Sequence, residues 1–395
     1  MIAMSKTPDF STRTSWDFAE TDLVRAVRQR RDAGLPLYDL TASNPTRCGF
    51  QYDAATILAA LAQPQALTYD PDPHGMLSAR QAVCRYYADH GAKLDPAHVF
   101  LTPSTSEAYS HLFRVLCDPG DEVLIAQPSY PLFDFLAQID NVRLIPYPLF
   151  YDHGWRLDAA ALRQKITPRT RAIIVVHPNN PTGHFTKSDE RKELESICEA
   201  HGLALIVDEV FLDYPLGDNS ASPSFACGEH PVLTFVLSGL SKIAALPQMK
   251  AAWIAAFGPA AILEPAHQRI EVVADTFLSM NAPVQCALPV WLECRGGIQR
   301  QIIDRVRHNL YLLDKTLSGT QASRLEVEGG WYAVLRIPAI EPDEAAAVRL
   351  VSKFGVELHP GHFFGFPASG WLVLSLLPKE SEKADAYRSI ALCFK

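Results

Sequence analysis

The sequence predicts an α/β fold, with a mostly parallel seven-stranded sheet in a large domain and a small α+β domain at the C-terminal end. From about residue 97, short apolar segments alternate with amphipathic helices, as in sheets covered by helices. Several of these segments are apolar without alternation, which is typical of strands buried on both faces. At 395 residues, the chain is long enough for two domains.

Seven segments are the strand candidates of the large domain. They are HVFLTP (98–103), DEVLIAQP (121–128), VRLIPYP (142–148), AIIVVHP (172–178), LALIVDEVF (203–211), LTFVLSG (233–239) and AAWIAAF (251–257). Helices are predicted between them, for example over 106–117 and 187–202.

The pattern changes after about residue 290. A long helical stretch (295–319) leads into four strand-like segments, LEVEGG (325–330), WYAVLRIP (331–338), VELHP (356–360) and WLVLSLLP (371–378). This order predicts a smaller domain over 291–395 after a large domain over 51–290. Residues 1–50 are too few to fold alone, so we expect them to form an arm that packs on the small domain.

Composition excludes several classes of function. The formal net charge of −8 argues against a nucleic-acid groove, which needs a concentrated positive surface. The start, MIAMSKTPDFSTRT, has no apolar core for a signal peptide, and no apolar run reaches membrane-spanning length. The eight cysteines show no metal-like clustering. We therefore expect a cytoplasmic protein with reduced thiols and no metal, nucleic-acid or membrane partner.

Polar residues follow the first two informative strands. Ser104, Thr105 and Ser106 open a helix after 98–103, and a helix N-terminus binds anions. The alternative is a plain capping box, Ser104 with Glu107. Asn180 follows 172–176 in HPNNPTG, where it can point into a cleft or simply belong to a rigid turn.

Two charged residues follow the next strands. Asp208 comes after five apolar residues, where a carboxylate must be solvated or paired; one partner would be a protonated pyridine nitrogen. Lys242 lies in LSGLSKIAALPQMK (237–250), between a Ser-flanked approach and small apolar residues. A lysine there either reaches solvent along its stem or is converted into a Schiff base.

The four features suit one ligand, pyridoxal 5′-phosphate. Ligands bind beyond the carboxyl ends of strands in doubly wound sheets, where all four lie. The phosphate of this cofactor needs a helix N-terminus, its O3′ a donor, its ring nitrogen an anion and its aldehyde an amine.

These motifs resemble those of the fold type I, class I/II aminotransferases, nearest the alanine and aspartate aminotransferase branch. The matching stretches are SNPTRCGF (43–50), YDPDPHGMLSAR (69–80), LCDPGDEVLIAQPSYP (116–131), HPNNPTG (177–183), VDEVFLDY (207–214), SGLSK (238–242) and PGHFFGF (360–366). The resemblance implies the PLP-transferase fold type I and pyridoxal 5′-phosphate as cofactor.

The resemblance also implies a role for each matching residue. Lys242 would form the Schiff base and move the substrate Cα proton, Asp208 would pair with the pyridinium nitrogen, and Asn180 would bind O3′. Tyr130 would stack on the ring, and Tyr69 would reach the phosphate in the neighbouring subunit, which implies a homodimer. The implied cofactor set is Ser104, Thr105, Ser106, Tyr130, Asn180, Asp208, Phe211, Ser241, Lys242, Lys250 and Tyr69, and the substrate candidates are Ser43, Asn44, Arg47 and Arg336.

Three positions depart from the family pattern. Phe211 stands where a tyrosine usually donates to O3′, and Lys250 stands where an arginine usually binds the phosphate. Val373 stands where relatives carry the arginine that clamps the substrate carboxylate. A two-pronged clamp makes two charged hydrogen bonds of roughly 1.5–3 kcal/mol each. Either another cation, such as Arg47 or Arg336, takes this role, or the substrate is unusual.

The sequence therefore predicts an aminotransferase that moves an amino group from an amino donor to a 2-oxo acid. The alternatives are a lyase, decarboxylase or racemase on the same fold, and a non-catalytic cofactor-binding homologue. The sequence does not identify the donor or the acceptor.

Overall fold

The computed structural model describes residues 9–217 and 222–395. The first eight residues, which belong to the predicted arm and to the segment expected to lack a signal peptide, lie outside the described residues. No helix in the described ranges is both long enough and apolar enough to span a bilayer.

The bounds of the regular elements are as follows. The strands are Tyr38–Asp39 (β1), Val99–Thr102 (β2), Glu122–Gln127 (β3), Arg143–Tyr151 (β4), Trp155–Leu157 (β5), Thr170–Val176 (β6), Ala204–Asp208 (β7), Thr234–Gly239 (β8), Ala252–Phe257 (β9), Ser323–Arg324 (β10), Tyr332–Arg336 (β11), Val356–Glu357 (β12), His359–Pro360 (β13) and Trp371–Ser375 (β14). The α-helices are Asp22–Asp32 (α1), Ala54–Ala59 (α2), Leu77–Asp89 (α3), Thr105–Leu116 (α4), Leu132–Ile139 (α5), Ala159–Lys165 (α6), Ser188–His201 (α7), Leu240–Ile243 (α8), Ala260–Phe277 (α9), Ala282–Cys294 (α10), Gly296–Leu317 (α11), Asp343–Arg349 (α12) and Glu380–Cys393 (α13).

The large sheet has eight strands in the order β2-β9-β8-β7-β6-β3-β4-β5. The central strands β8, β7, β6, β3 and β4 are parallel, whereas β9 and β5 run antiparallel to their neighbours. All seven predicted strands are present, which confirms the mostly parallel sheet. The eighth strand, β5, is a short addition at the edge that the apolar pattern did not indicate.

The non-alternating strands are buried on both faces, as predicted. In β6, Ile173 and Val175 belong to one apolar cluster, while Ile174 and Val176 belong to another. Leu194 and Ile197 of α7 cover the first face, and Leu112 and Phe113 of α4 cover the second. Each central strand is thus covered by helices on both sides.

Helix ends follow local chemistry. The predicted helix over 187–202 is α7, and its C-cap Gly202 has φ 64°, a left-handed conformation that glycine adopts without strain. The predicted helix over 295–319 is α11. Its buried residues recur every three or four positions, which places them on one face: Ile298, Ile302, Val306, Asn309, Leu313 and Leu317.

The C-terminal part contains a four-stranded antiparallel sheet in the order β10-β11-β14-β13. The strand predicted over 325–330 is displaced, because the strand pairing ends at Arg324. Residues 325–330 instead contact the large domain. The Leu216 N–H donates to the Glu328 carbonyl at 2.8 Å, and Gly329 forms an isolated bridge with Pro215.

The described part of the N-terminal arm packs on this smaller part of the chain. Strand β1 pairs in parallel with β12, with Tyr38 opposite Val356. Leu23 and Val27 of α1 are buried in the apolar cluster of the C-terminal part.

Candidate active site

A cavity of about 530 Å³ opens at the carboxyl ends of the strands β2, β6, β7 and β8. It brings together most of the predicted cofactor residues, which come from distant parts of the sequence. The predicted residues that line it are Ser43, Ser104, Thr105, Ser106, Tyr130, Asn180, Asp208, Phe211, Ser241, Lys242 and Lys250. The volume suits a small-molecule ligand.

Asp208 is the buried carboxylate of the cavity. Its Oδ2 accepts a hydrogen bond from the Tyr109 hydroxyl at 3.2 Å, and its Oδ1 accepts one from the Val210 N–H at 3.1 Å. Burial raises the pKa of Asp208 to about 6, against the opposing effects of these hydrogen bonds and of Lys242. A cationic partner would favour the ionised form of this carboxylate and so offset the effect of burial.

Lys242 projects into the cavity between two aromatic rings. Its Nζ lies 5.6 Å from the ring centroid of Phe211 and 5.2 Å from that of Trp331. Burial lowers the pKa of Lys242 to about 8, and Asp208 opposes this shift. The Tyr214 hydroxyl donates to the Lys242 carbonyl at 2.5 Å and so fixes the backbone. The environment produces a larger fraction of neutral, nucleophilic amine than an exposed lysine has.

Asn180 projects from the turn after β6. The residue is buried and lines the cavity, and its side-chain oxygen has no hydrogen-bond partner among the described residues. The turn is held closely, since a Cβ on Gly183 would lie 2.3 Å from the Val327 side chain. The oxygen of this amide can accept a hydrogen bond, and the nitrogen of the same side chain can donate one to a ligand in the cavity.

The anion-binding end is the start of α4. The Ser104 hydroxyl accepts from the Glu107 N–H at 3.1 Å, so Ser104 is the N-cap of the helix, which is one half of the predicted capping box. Thr105 and Ser106 also line the cavity, and their N–H groups belong to the first turn, which lacks intrahelical acceptors. Lys250 lines the same cavity and adds a cation. This set fits a phosphate group.

Phe211 and Tyr130 contribute rings to the cavity. Phe211 is buried and packs edge-on against Trp331, with ring centroids 4.9 Å apart. Tyr130 is partly exposed. The burial of its hydroxyl raises the pKa of that group, and the negative charge of Asp208 adds a smaller effect in the same direction.

Four predicted residues are not among the residues that line the cavity. Arg47 and Tyr69 are exposed, and Asn44 caps a short 3₁₀ helix by accepting from the Thr46 N–H at 3.1 Å. Arg336 stacks on Trp371, with its guanidinium carbon 4.2 Å from the ring centroid. The structure thus gives neither arginine a place in the cavity.

The unpredicted residues in or near the cavity include Tyr109, Trp331, Tyr332 and His359. Tyr109 could have been found, because it lies one helical turn after Thr105 on the helix that opens at the cavity. Trp331 and Tyr332 lie in a segment read only as a strand. His359 lies in the predicted strand 356–360.

Comparisons with known proteins identify the family of the chain. The profile of the family "Aminotransferase class I and II" matches residues 42–386. The alanine aminotransferase of Mycobacterium tuberculosis is 30% identical over 367 residues, covering 89% of this chain and 84% of its own. The arginine–pyruvate transaminase AruH of Pseudomonas aeruginosa is 28% identical, covering 98% and 97%. A solved alanine aminotransferase from Pyrococcus furiosus shares the fold at TM-score 0.88 and 24% identity, covering 97% and 99%.

The chain therefore belongs to the class I and II aminotransferases, which use pyridoxal 5′-phosphate. Three features fit that cofactor: the amine of Lys242 in an aromatic setting, the buried carboxylate of Asp208 and the amide of Asn180 in the cavity lining.

Proposed function

We propose that this aminotransferase uses Lys242, Asp208 and Asn180 as its central residues, and that it moves an amino group from an amino acid donor to a 2-oxo acid. The observation that carries this proposal is the partly buried Lys242, whose pKa of about 8 leaves part of the amine neutral near pH 7, in one cavity with Asp208. Two relatives named for pyruvate or alanine make pyruvate the first acceptor to assay.

The roles follow from the chemistry of each side chain. Bound pyridoxal phosphate supplies an aldehyde and a ring that draws electrons from the substrate carbon. Lys242 would move the proton from that carbon to the aldehyde carbon of the cofactor, a positioned proton transfer that typically gives roughly 10²–10⁴-fold in rate. Asp208 holds the proton on the ring nitrogen, and Asn180 donates to the phenolic oxygen. Thr105, Ser106, Ser241 and Lys250 hold the phosphate.

The test is a single half-reaction. Holoenzyme mixed with an amino donor should lose the absorbance of its bound aldehyde, release one equivalent of 2-oxo acid and stop until pyruvate is added. Continued release of product without an acceptor would favour the lyase alternative. No spectral change with any donor would favour the non-catalytic homologue.

The proposal also covers the assembly of the protein, its location and the limits of its domains. The active unit is a homodimer in the cytoplasm, with Tyr69 of each chain reaching the phosphate of the other. The exposed positions of Leu67 and Tyr69 support this contact. The chain divides into an arm over 1–50, a large domain over 51–290 and a small domain over 291–395.

A further inference from the structure

Three side chains form a row across the small antiparallel sheet beside the cavity. Val334 on β11 lies opposite Val373 on β14, and His359 on β13 lies opposite Val373 from the other side. Residues directly opposite in antiparallel strands point to the same face. His359 is therefore the immediate neighbour of the position where the family resemblance predicts the carboxylate-binding arginine.

Val373 cannot bind a charged group itself. It is fully buried in an aromatic cluster with Trp155, Phe364 and Phe366. An arginine placed there would bury a guanidinium among these rings without an anionic partner from the cluster. Carboxylate binding must therefore use another side chain.

His359, in contrast, lines the cavity. Its ring centroid lies 6.0 Å from that of Phe363 and 5.7 Å from that of Phe364, two rings that also line the cavity. Among the described residues that line this cavity, the basic side chains are Lys242, Lys250 and His359. Lys242 and Lys250 are committed to the coenzyme in the proposed function, which leaves the imidazole for the substrate.

The charged and titratable groups around His359 come from several elements. Asp39 of β1 is the carboxylate that acts on it, and the oxygen Oδ1 of Asp39 already accepts from the Thr41 N–H at 2.8 Å. Tyr332 comes from β11, and β14 contributes only Val373 and Leu372 in the pairing with β13. Asp208, Lys242, Lys250 and Tyr130 line the parts of the cavity contributed by the large sheet.

Burial lowers the pKa of His359, and Asp39 opposes the shift. The imidazole is thus mostly neutral near pH 7 before an anion binds. A carboxylate in hydrogen-bonding contact favours the protonated ring, so its binding takes up a proton.

We propose that His359 binds the carboxylate of the substrate in place of the family arginine, and that the adjoining rings of Phe363 and Phe364 favour substrates with an apolar or aromatic side chain. This inference rests on the proposed function, because it concerns the substrate end of that same cavity. The binding of acids then depends on pH, whereas the binding of neutral analogues does not.

The experiment compares 3-phenylpropionate with its neutral amide, 3-phenylpropionamide, as ligands of the holoenzyme. Neither has an amine, so neither enters the reaction. We expect the acid to bind about 10- to 100-fold more tightly than the amide at pH 6, which is the affinity ratio that one charged hydrogen bond provides. This preference should fall as the pH rises through the pKa of the bound histidine.

The variant His359→Gln should lose this preference while binding the amide as the wild type does. For this variant, calorimetry in two buffers of different ionisation enthalpy should show that the protein takes up fewer protons on binding the acid than the wild type does. His362→Gln, an exposed histidine outside the cavity, is the matched control and should behave as the wild type. If His359→Gln does not fold, His359→Asn replaces it.

Equal binding of acid and amide by the wild type would overturn the proposal, as would an unchanged acid preference and proton uptake in the folded variant. These results are independent of transamination. An enzyme that transaminates normally but keeps its acid preference without His359 retains the proposed function and loses only this inference.

Discussion

Tyr109 shows how one side chain can set the chemistry of another. Its hydroxyl donates to Asp208 at 3.2 Å inside a fully buried environment, where the carboxylate has few other donors. This hydrogen bond favours the ionised carboxylate that the ring nitrogen of the cofactor requires.

We expect Tyr109→Phe to weaken the binding of pyridoxal phosphate by about 10-fold, because a hydrogen bond to a charged group is worth roughly 1.5–3 kcal/mol. Cofactor titration followed by absorbance measures the loss. Tyr147→Phe is the control, because the Tyr147 hydroxyl is equally buried but donates to the Ile174 carbonyl at 2.9 Å. Equal cofactor affinities in both variants would contradict the role of Tyr109.

Phe211 stands where the family usually has a tyrosine. The ring lines the cavity beside Lys242 but offers no hydroxyl to the phenolic oxygen of the cofactor. Phe211→Tyr adds a donor that stabilises the phenolate, so the pKa seen in the absorbance of the bound cofactor should fall. A spectrophotometric titration of both proteins measures it, and an unchanged or higher pKa in the variant would refute the reasoning.

At the scale of elements, the turn that carries Asn180 is joined to the segment before β11. The Phe185 N–H donates to Glu328 Oε2 at 2.9 Å, and the Lys187 ammonium forms an ion pair with the same carboxylate. Burial raises the pKa of Glu328, but the His184 imidazole, whose Nδ1 lies 3.6 Å from Oε2, and the Lys187 ammonium outweigh this and lower the pKa to about 2. These contacts connect the large sheet to the small one beside the site.

Because the pKa of Glu328 is lowered in the folded protein, its contribution to stability depends on pH. A carboxylate with a folded-state pKa below its ordinary value of 4.5 stabilises the fold above pH 4.5, and the contribution is lost as the pH falls toward 2. Glu328→Gln should therefore lower the free energy of unfolding by about 1 kcal/mol at pH 7, a value reduced by solvent screening. The difference from the wild type should shrink below pH 4.5. Urea unfolding at several pH values measures this, with the exposed Glu326→Gln as control; a difference independent of pH would contradict it.

At the scale of the whole molecule, each chain alone leaves Tyr69 away from its own cavity. Leu67 is 92% exposed and Tyr69 is 79% exposed, which is unusual for two large apolar side chains in one short segment. A second chain that covers this segment would explain both.

Sedimentation should show a dimer, and a heterodimer tests the shared site. Coexpressed Lys242→Ala and Tyr69→Phe chains form one site that has Lys242 from one chain and Tyr69 from the other. We expect this site to bind the cofactor with wild-type affinity. The Tyr69→Phe homodimer should bind it roughly 10-fold more weakly, because each of its sites lacks one charged hydrogen bond. Equal affinities in the heterodimer and that homodimer would show that Tyr69 does not act across the interface.

Local signals explain what could be predicted. The seven strands were predictable because each is a short apolar run, and Asn180, Asp208 and Lys242 because each lies at the end of such a run or within four residues of it. The edge strand β5 and the displaced strand β10 have no comparable pattern, since pairing with distant residues defines them. His359 escaped for the same reason, because its importance depends on its pairing opposite Val373. Tyr109 had a local signal, its place one turn after Thr105, but its contact with Asp208 is not visible in the sequence.

The central claim is that the amine of Lys242 binds the aldehyde of pyridoxal phosphate. Borohydride reduction of the holoenzyme, followed by digestion and peptide mass mapping, tests it most directly. We predict a pyridoxyl group on the peptide that contains Lys242, and none on Lys250 or elsewhere. A protein that stays colourless with added cofactor, or that carries the group on another lysine, would contradict the account.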